Sequence, residues 1–266
     1  IQNNQNFQIL LGGDYMRKIF IFDVDGTLTP SRRPMTEDFT KFFDEWSKEN
    51  TFYLVSGSDL DKIKEQIPIV YLDRADGIFT CGGNKLYIND ELIYENKFKP
   101  PETLLTYLGE LIRFSDFPIR AGNHRENRGA MLNFSVVGRN CSLEERQQYF
   151  EYDKETNERE KIAKYIKQQY PQLDAVIGGQ ISIDIAPIGN DKSQVIKKIK
   201  DDYNIPFMDV NKYIFIGDRT MKGGNDYPLA KLMMEMSDCE VYQAGEPSQE
   251  DGYKITQSIL KEELND

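Results

Sequence analysis

The stretch Lys18-Ile19-Phe20-Ile21-Phe22-Asp23-Val24-Asp25-Gly26-Thr27-Leu28-Thr29 restricts the folds open to this chain more than any other. Its unbroken apolar and aromatic run reads as a strand buried on both faces. Two carboxylates stand where that strand ends, and open α/β sheets place their chemistry at the carboxyl ends of their strands. Gly26 allows a sharp backbone excursion that brings Asp23 and Asp25 over one spot. Carboxylates that close repel unless one is protonated or a cation lies between them. With oxygen ligands alone, that cation is a hard ion such as Mg²⁺, which would bring a phosphate with it. The plainer reading is a strand followed by an ordinary acidic turn, and the Gly-Thr-Leu-Thr continuation argues against it.

A second stretch repeats the pattern near the other end. Tyr213-Ile214-Phe215-Ile216-Gly217-Asp218 is again a buried run that delivers a carboxylate at its end, followed by Gly223-Gly224 and by Asp226 at the start of a helix. Asp218 is therefore a candidate third ligand for an ion at Asp23.

Strand and helix alternate between these two stretches. Thr36 is expected to cap a helix running to Lys48, with Phe39, Phe42, Phe43 and Trp46 on its core face. Residues 51–55 form a second buried strand ending in Ser56-Gly57-Ser58-Asp59. A small hydroxyl and free N–H groups before helix 60–66 form either an anion site or a simple helix cap. A third strand follows at Gly77-Ile78-Phe79-Thr80, then a hairpin about Asn89-Asp90. Pro100-Pro101 marks a change of composition and a plausible hinge. Beyond it a helix over 104–114, an alternating strand over 131–137, a charged helical run over 143–169 interrupted near Asp153, and a strand over 181–185 make an α+β unit. Within it lie Arg120, Arg125, Arg128, Arg139 and Arg146, either as separate surface charges or as a patch facing an anion, for which arginine has the bidentate geometry. After Pro187 the first pattern returns, with Lys192 at the mouth of helix 193–200. Lys192 is either a phosphate-reaching charge or one more solvated lysine.

Charge and composition exclude several functions. The chain has 266 residues, enough for one large domain or two modest ones, and 44 acidic residues against 33 basic give a net charge of −11. That field repels nucleic acid and anionic membrane surfaces. No run reaches the roughly 18 apolar residues of a membrane span. The cysteines Cys81, Cys141 and Cys239 are odd in number and lack metal spacing, as suits a reducing cytoplasm. The single histidine, His124, cannot supply a phosphohistidine pair, and its polar surroundings suggest a solvated ring. Residues 1–15 are Asn/Gln-rich, lack the features of a secretory signal, and are expected to be an N-terminal extension outside the fold.

Asp23-Val24-Asp25-Gly26-Thr27, the hydroxyl of Ser56, the lysine at a helix start and the late Gly217-Asp218 with Asn225-Asp226 resemble the four motifs of the haloacid dehalogenase (HAD) superfamily of phosphotransferases. Within it, the chain resembles the eukaryotic-type phosphomannomutases from Met16 onward. The resemblance rests on Met131-Leu132-Asn133, Gly138-Arg139-Asn140-Cys141-Ser142 with Arg146, Gly178-Gly179-Gln180-Ile181-Ser182 with Asp184, and Thr220-Met221 with Gly223-Gly224-Asn225-Asp226. It implies an α/β fold, a HAD-like Rossmannoid parallel-sheet core over residues 16–95 and 187–266, with an inserted α+β cap over 96–186. It implies interconversion of mannose 6-phosphate and mannose 1-phosphate through an aspartyl phosphate and a hexose 1,6-bisphosphate. The alternative is a sugar-phosphate phosphatase of the same superfamily. Asp23 would be the nucleophile and Asp25 the general acid/base. Mg²⁺ would be held by Asp218 with the Asp23 carboxylate and the Asp25 carbonyl, with Asp226 as a further member of the site. Ser56 and Lys192 would hold the transferring phosphoryl group. Arg32, Arg128, Arg139, Arg146, Ser182 and Asp184 would grip the sugar and its second phosphate. The implied partners are hexose phosphates, of mannose and also of glucose, a hexose 1,6-bisphosphate activator, and a second copy of the chain docked through the cap; no nucleic acid or membrane is implied.

The sequence also departs from the family pattern. Gly82-Gly83-Asn84 stands where the family usually has Glu-Asn-Gly, and Asn127 and Gly129 flank Arg128 where it has Phe-Arg-Asn-Gly. The segment Tyr227-Pro228-Leu229-Ala230-Lys231-Leu232 lacks the aspartate of the family's second cation loop.

Overall fold

In a computed structural model that describes residues 17–201, 210–245 and 251–264, the apolar runs become the middle of a seven-stranded sheet. Strand β1 (Arg17–Asp23) leads into α1 (Glu37–Glu49), β2 (Thr51–Val55), α2 (Leu60–Gln66), α3 (Ile69–Arg74) and β3 (Gly77–Thr80). The hairpin β4 (Lys85–Ile88) and β5 (Glu91–Glu95) follows, turning at Asn89 and Asp90, which both take positive φ. A second unit then begins with α4 (Glu102–Phe114), β6 (Arg125–Asn127) and β7 (Leu132–Phe134). It continues through α5 (Leu143–Thr156), α6 (Glu158–Gln169), β8 (Leu173–Gly178) and β9 (Ser182–Pro187). The chain returns to the first sheet through α7 (Gln194–Asp201), β10 (Val210–Gly217), α8 (Tyr227–Met234), β11 (Cys239–Gln243) and α9 (Gly252–Glu263).

The large sheet has the order β11-β10-β1-β2-β3-β4-β5 and is parallel from β11 to β3, with β4 antiparallel to both β3 and β5. Strand β1 is thus central, and its alternate residues enter different cores. Phe20 and Phe22 face α1, where Phe22 meets Phe43 and Trp46 edge-on, while Ile19 and Ile21 face the side covered by Val195, Ile196 and Leu229. Full burial of such a side chain stabilises by about 1.5–3 kcal/mol. The second sheet, β6-β7-β9-β8, is antiparallel and has a core of its own, with Leu104, Leu108, Phe134, Tyr149 and Ile166 among its members.

Local expectations differ from the structure in several places. Thr36 sits at the N-cap of α1, but its side chain caps nothing and its hydroxyl is buried without a partner among the described residues. The charged helical run breaks at Asn157, in the left-handed region, and not near Asp153. The strand expected over 131–137 pairs only at Leu132–Phe134. Strands β6, β8 and β11 and the short α3 had no counterpart in the sequence reading. His124 is half-buried, with Nδ1 3.0 Å from the Ser135 carbonyl oxygen, and is not a solvated ring. The expected extension 1–15 lies outside the described residues.

Candidate active site

The carboxyl ends of β1, β2 and β10 converge because these three strands are adjacent and parallel. Asp23 ends β1, Ser56 follows β2, and Asp218 follows β10. The loop after β1 passes so close to Asp218 that a Cβ at Gly26 would lie 2.7 Å from Asp218 Oδ2, and Gly26 also takes φ +82. Only glycine fits there without displacing the acid. Gly217 does the same for Asp226, whose Oδ2 would lie 2.8 Å from an added Cβ.

Asp23, Asp218 and Asp226 are all buried, and each offers an oxygen within 4.8 Å of the others. Lys192 lies between two of them, with Nζ 2.5 Å from Asp23 Oδ1 and 2.5 Å from Asp226 Oδ1. Burial, then the neighbouring Asp226 and Asp218, push the Asp23 carboxyl well above the usual carboxylate range, against the pull of Lys192. Burial would discharge Lys192, but Asp226 and Asp23 outweigh it and hold the ammonium above its ordinary value. Three buried carboxylates face the Lys192 ammonium and, at 3.9 Å from Asp218, the Arg219 guanidinium, so acids outnumber cations by one. An all-oxygen donor set of this kind fits a hard divalent cation.

The Asp25 carboxylate stands apart from this cluster. Its Oδ1 accepts the Arg32 N–H at 2.7 Å and the Gln66 side-chain amide at 2.9 Å. Ser56 is buried, and its Oγ accepts the Ser58 N–H at 3.0 Å. Asp59, two residues beyond the glycine, caps α2 by accepting from Lys62 N, so the cap and the serine are separate features.

A cleft opens over these groups, and the second sheet supplies its far wall. Arg32, Arg128, Arg139, Arg146, Ser182 and Asp184 all line it together with Asp23, Asp25, Ser56 and Asp218. Lys192 is buried against Asp23 and Asp226 and lines an adjoining pocket that shares Gly57, Asp184 and Asn225 with the cleft. The wall is braced both internally and against the loop after β2. Arg128 donates to the Gly57 carbonyl at 2.5 Å and to Glu126 at 2.8 Å, and the same Glu126 oxygen lies 3.2 Å from Arg139 Nε. Arg139 also donates to Asn133 Oδ1 and Ser182 Oγ, and Asn133 donates to Asp184. Burial and then the like charges of Arg32 and Arg128 lower Arg139 to about 10. Burial likewise lowers Arg146, helped by Arg139. A cluster of cations under such mutual strain is receptive to an anion.

Two of the five arginines noted in this region play no part. Arg120 is spent on the carbonyls of Ile112, Ser115, Phe117 and Ile119, and exposed Arg125 bonds the Leu105 carbonyl. Gln66, Glu126, Asn133, Gln180, Arg219 and Asn225 were not singled out as site residues from the sequence. Asn133, Gln180, Arg219 and Asn225 carried a signal, since they lie inside the stretches that match the family.

Comparison with known proteins agrees with this geometry. The family model described as "Eukaryotic phosphomannomutase" matches residues 39–260. The chain is 39% identical over 225 residues to a phosphomannomutase of Dendrobium officinale, covering 79% of this chain and 84% of that one. It is 38% identical over 225 residues to a phosphomannomutase of Encephalitozoon cuniculi, covering 80% and 84%. In fold it resembles a solved HAD subclass IIB sugar phosphatase, with a TM-score of 0.54, 14% identity, and coverage of 93% of this chain and 99% of that one.

Proposed function

Because the chain belongs to the eukaryotic phosphomannomutase family, we infer that it is a phosphomannomutase interconverting mannose 6-phosphate and mannose 1-phosphate. The observation that carries this reading is the two-ended cleft. Carboxylates and Ser56 stand at the end formed by the large sheet, and Arg128, Arg139 and Arg146 stand on the wall formed by the smaller one. A sugar with a phosphate at each end matches both.

In the proposed reaction Asp23 attacks the phosphorus of a hexose 1,6-bisphosphate, and the bond from that phosphorus to the sugar oxygen breaks. The departing sugar oxygen takes a proton from Asp25, leaving an aspartyl phosphate and a hexose monophosphate. When the 1-phosphate is the one transferred, that product leaves as mannose 6-phosphate. An incoming mannose 1-phosphate gives the proton of its 6-hydroxyl to Asp25, and that oxygen attacks the aspartyl phosphate; the bond from Asp23 to phosphorus breaks, and the bisphosphate formed turns over before the next transfer. Ser56 holds the transferring phosphoryl oxygens, while Arg32, Arg128, Arg139, Arg146, Ser182 and Asp184 keep the other phosphate and the sugar in place. Lys192, salt-bridged to Asp23 and Asp226, fixes the nucleophile's rotamer. Mg²⁺ bound by Asp23, Asp218, Asp226 and the Asp25 carbonyl would neutralise charge between the nucleophile and the phosphoryl oxygens.

The same proposal assigns residues 96–186 to a cap that opens and closes on residues 16–95 and 187–266, with a hexose 1,6-bisphosphate as activator. A homodimer through the cap is supported by the exposed Phe114 and Leu143 on that unit. A cytoplasmic role in mannose metabolism follows from the substrate class. Among the described residues no helix is long and apolar enough to cross a membrane.

A coupled assay with mannose 1-phosphate and a trace of glucose 1,6-bisphosphate tests the reading: mannose 6-phosphate should appear without a matching release of inorganic phosphate. Phosphate release alone would make the protein a phosphatase.

A further inference from the structure

Arg159 lies outside the cleft, yet its guanidinium reaches the back of a turn that lines it. The left-handed Asn157 ends α5 and redirects the chain into α6, with Asn157 N–H bonded to the Asp153 carbonyl at 2.7 Å. That change of direction folds the first turn of α6 back over Asp153. Arg159 N donates to Asp153 Oδ1 at 2.8 Å, and Arg159 Nε donates to Oδ2 at 2.8 Å. One carboxylate oxygen thereby holds the Arg159 backbone and the other its guanidinium, and both residues are buried. The far edge of the guanidinium donates to the Gly179 carbonyl at 2.9 Å, with the Ser182 carbonyl at 3.5 Å.

The turn it holds is short and exacting. Gly178 ends β8 and residues 179–181 lead to β9; Gly178, Gly179 and Gln180 line the cleft, and Gly179 takes φ +51. A Cβ at Gly178 would lie 2.7 Å from Asp184 Oδ2, so the turn and the Asp184 carboxylate are packed as one piece. Asp184 continues through Asn133 to Arg139, which also donates to Ser182 Oγ. A buried ion pair is weak as a device for stability alone, because apolar side chains of similar volume serve as well. A planar fork held at a fixed angle supplies direction instead.

We propose that Arg159, oriented by Asp153, is a positioning residue for sugar recognition: it holds the Gly178-Gly179-Gln180 turn and the start of β9 so that Ser182 and Asp184 meet the hexose phosphate. This rests on the mutase reading of the cleft. It gives the break at Asn157 a purpose, since an unbroken helix would carry Arg159 away from Asp153.

The test compares Arg159→Lys, which keeps the charge and loses the fork, with Asp153→Asn, which leaves Arg159 in place but unpaired. Each variant is assayed with mannose 1-phosphate and with p-nitrophenyl phosphate, which reaches Asp23 but has no sugar to meet the turn. Both variants should raise the KM for mannose 1-phosphate roughly tenfold, the scale of one buried hydrogen bond, while aryl phosphate hydrolysis stays within about twofold. Amide hydrogen exchange should quicken at residues 178–183 and stay unchanged in β1 and β10. Parallel loss on both substrates, or an unchanged KM with unchanged exchange at 178–183, overturns the proposal. If the wild-type protein failed to isomerise mannose 1-phosphate, the mutase reading would fall, and the exchange difference would still decide whether Arg159 holds the turn. An Arg159→Met variant that does not fold alters none of these outcomes, because Asp153→Asn removes the same pairing with a smaller change of shape.

Discussion

Gln66 reaches from the end of α2 and donates its side-chain amide to Oδ1 of Asp25 at 2.9 Å. Because the same oxygen also accepts the Arg32 N–H, Oδ2 is the oxygen placed to exchange a proton with a sugar hydroxyl. Gln66→Leu should therefore lower kcat about tenfold, by the worth of one hydrogen bond to a charged group, with little change in KM. A KM effect without a kcat effect, in steady-state kinetics, would show that Gln66 serves binding.

Asp23→Asn should abolish turnover and leave the circular dichroism spectrum unchanged, since it removes a charge from a crowded cluster without changing volume. Asp25→Asn should slow transfer by roughly 10²-fold or more, the scale of losing a general acid/base. Single-turnover experiments with the bisphosphate check both, and wild-type rates in Asp23→Asn would disprove the assigned nucleophile.

The arginine wall should make the protein respond to anions. The folded pKa of Arg139, about 10, lies below its ordinary value of 12.5. Between those values the unfolded chain binds more protons than the folded one, so this group makes stability rise with pH across that window and costs stability at neutral pH. An anion that relieves the crowding should raise the melting temperature at pH 7. Sulfate is the probe, and Arg139→Ala should shrink the rise. The same variant should raise the KM for mannose 1-phosphate roughly tenfold to a hundredfold and lower mutase throughput far more than aryl phosphate hydrolysis. Equal losses on both substrates would mean that Arg139 only supports the fold.

Mg²⁺ should raise the melting temperature by mass action, and chelation should abolish activity reversibly. Asp218→Asn should lose most of the thermal shift. Asp25→Asn should keep it, because the Asp25 carboxylate is tied to Arg32 and Gln66 and stands outside the acidic cluster. A lost shift in Asp25→Asn would bring that carboxylate into the cation site.

What could be read from the sequence follows burial. Strands β1, β2 and β10 are covered on both faces, so their apolar runs are continuous and visible, and the acids at their ends could be found with them. Strand β6 is Arg-Glu-Asn at an edge of the smaller sheet, and β11 is half-buried throughout at an edge of the larger one. Neither has a burial pattern strong enough to stand out in composition. The site divides in the same way. Charged residues such as Asp218 and Arg139 announce themselves, whereas Gln66 and Asn133 act through neutral amides whose importance depends on which carboxylate they meet in space. Glu126 was missed because its role is to face two arginines that only the fold brings together.

The central place of β1 has a consequence for how the protein is made. During synthesis β1 can pair with β2 early, and β2 with β3 and the hairpin beyond it, but the other neighbour of β1, β10, emerges only after the whole smaller sheet. Until then one edge of this buried strand stays open, and open strand edges invite pairing with other chains. Asp23 and Lys192, 169 positions apart, also meet late. The mutual repulsion of Asp23, Asp218 and Asp226 is therefore imposed only in the final closure of the sheet, when the ammonium that offsets it is already on hand. Contacts of such long range fold slowly, so a nascent chain halted anywhere in the smaller sheet should depend on a chaperone to cover that edge.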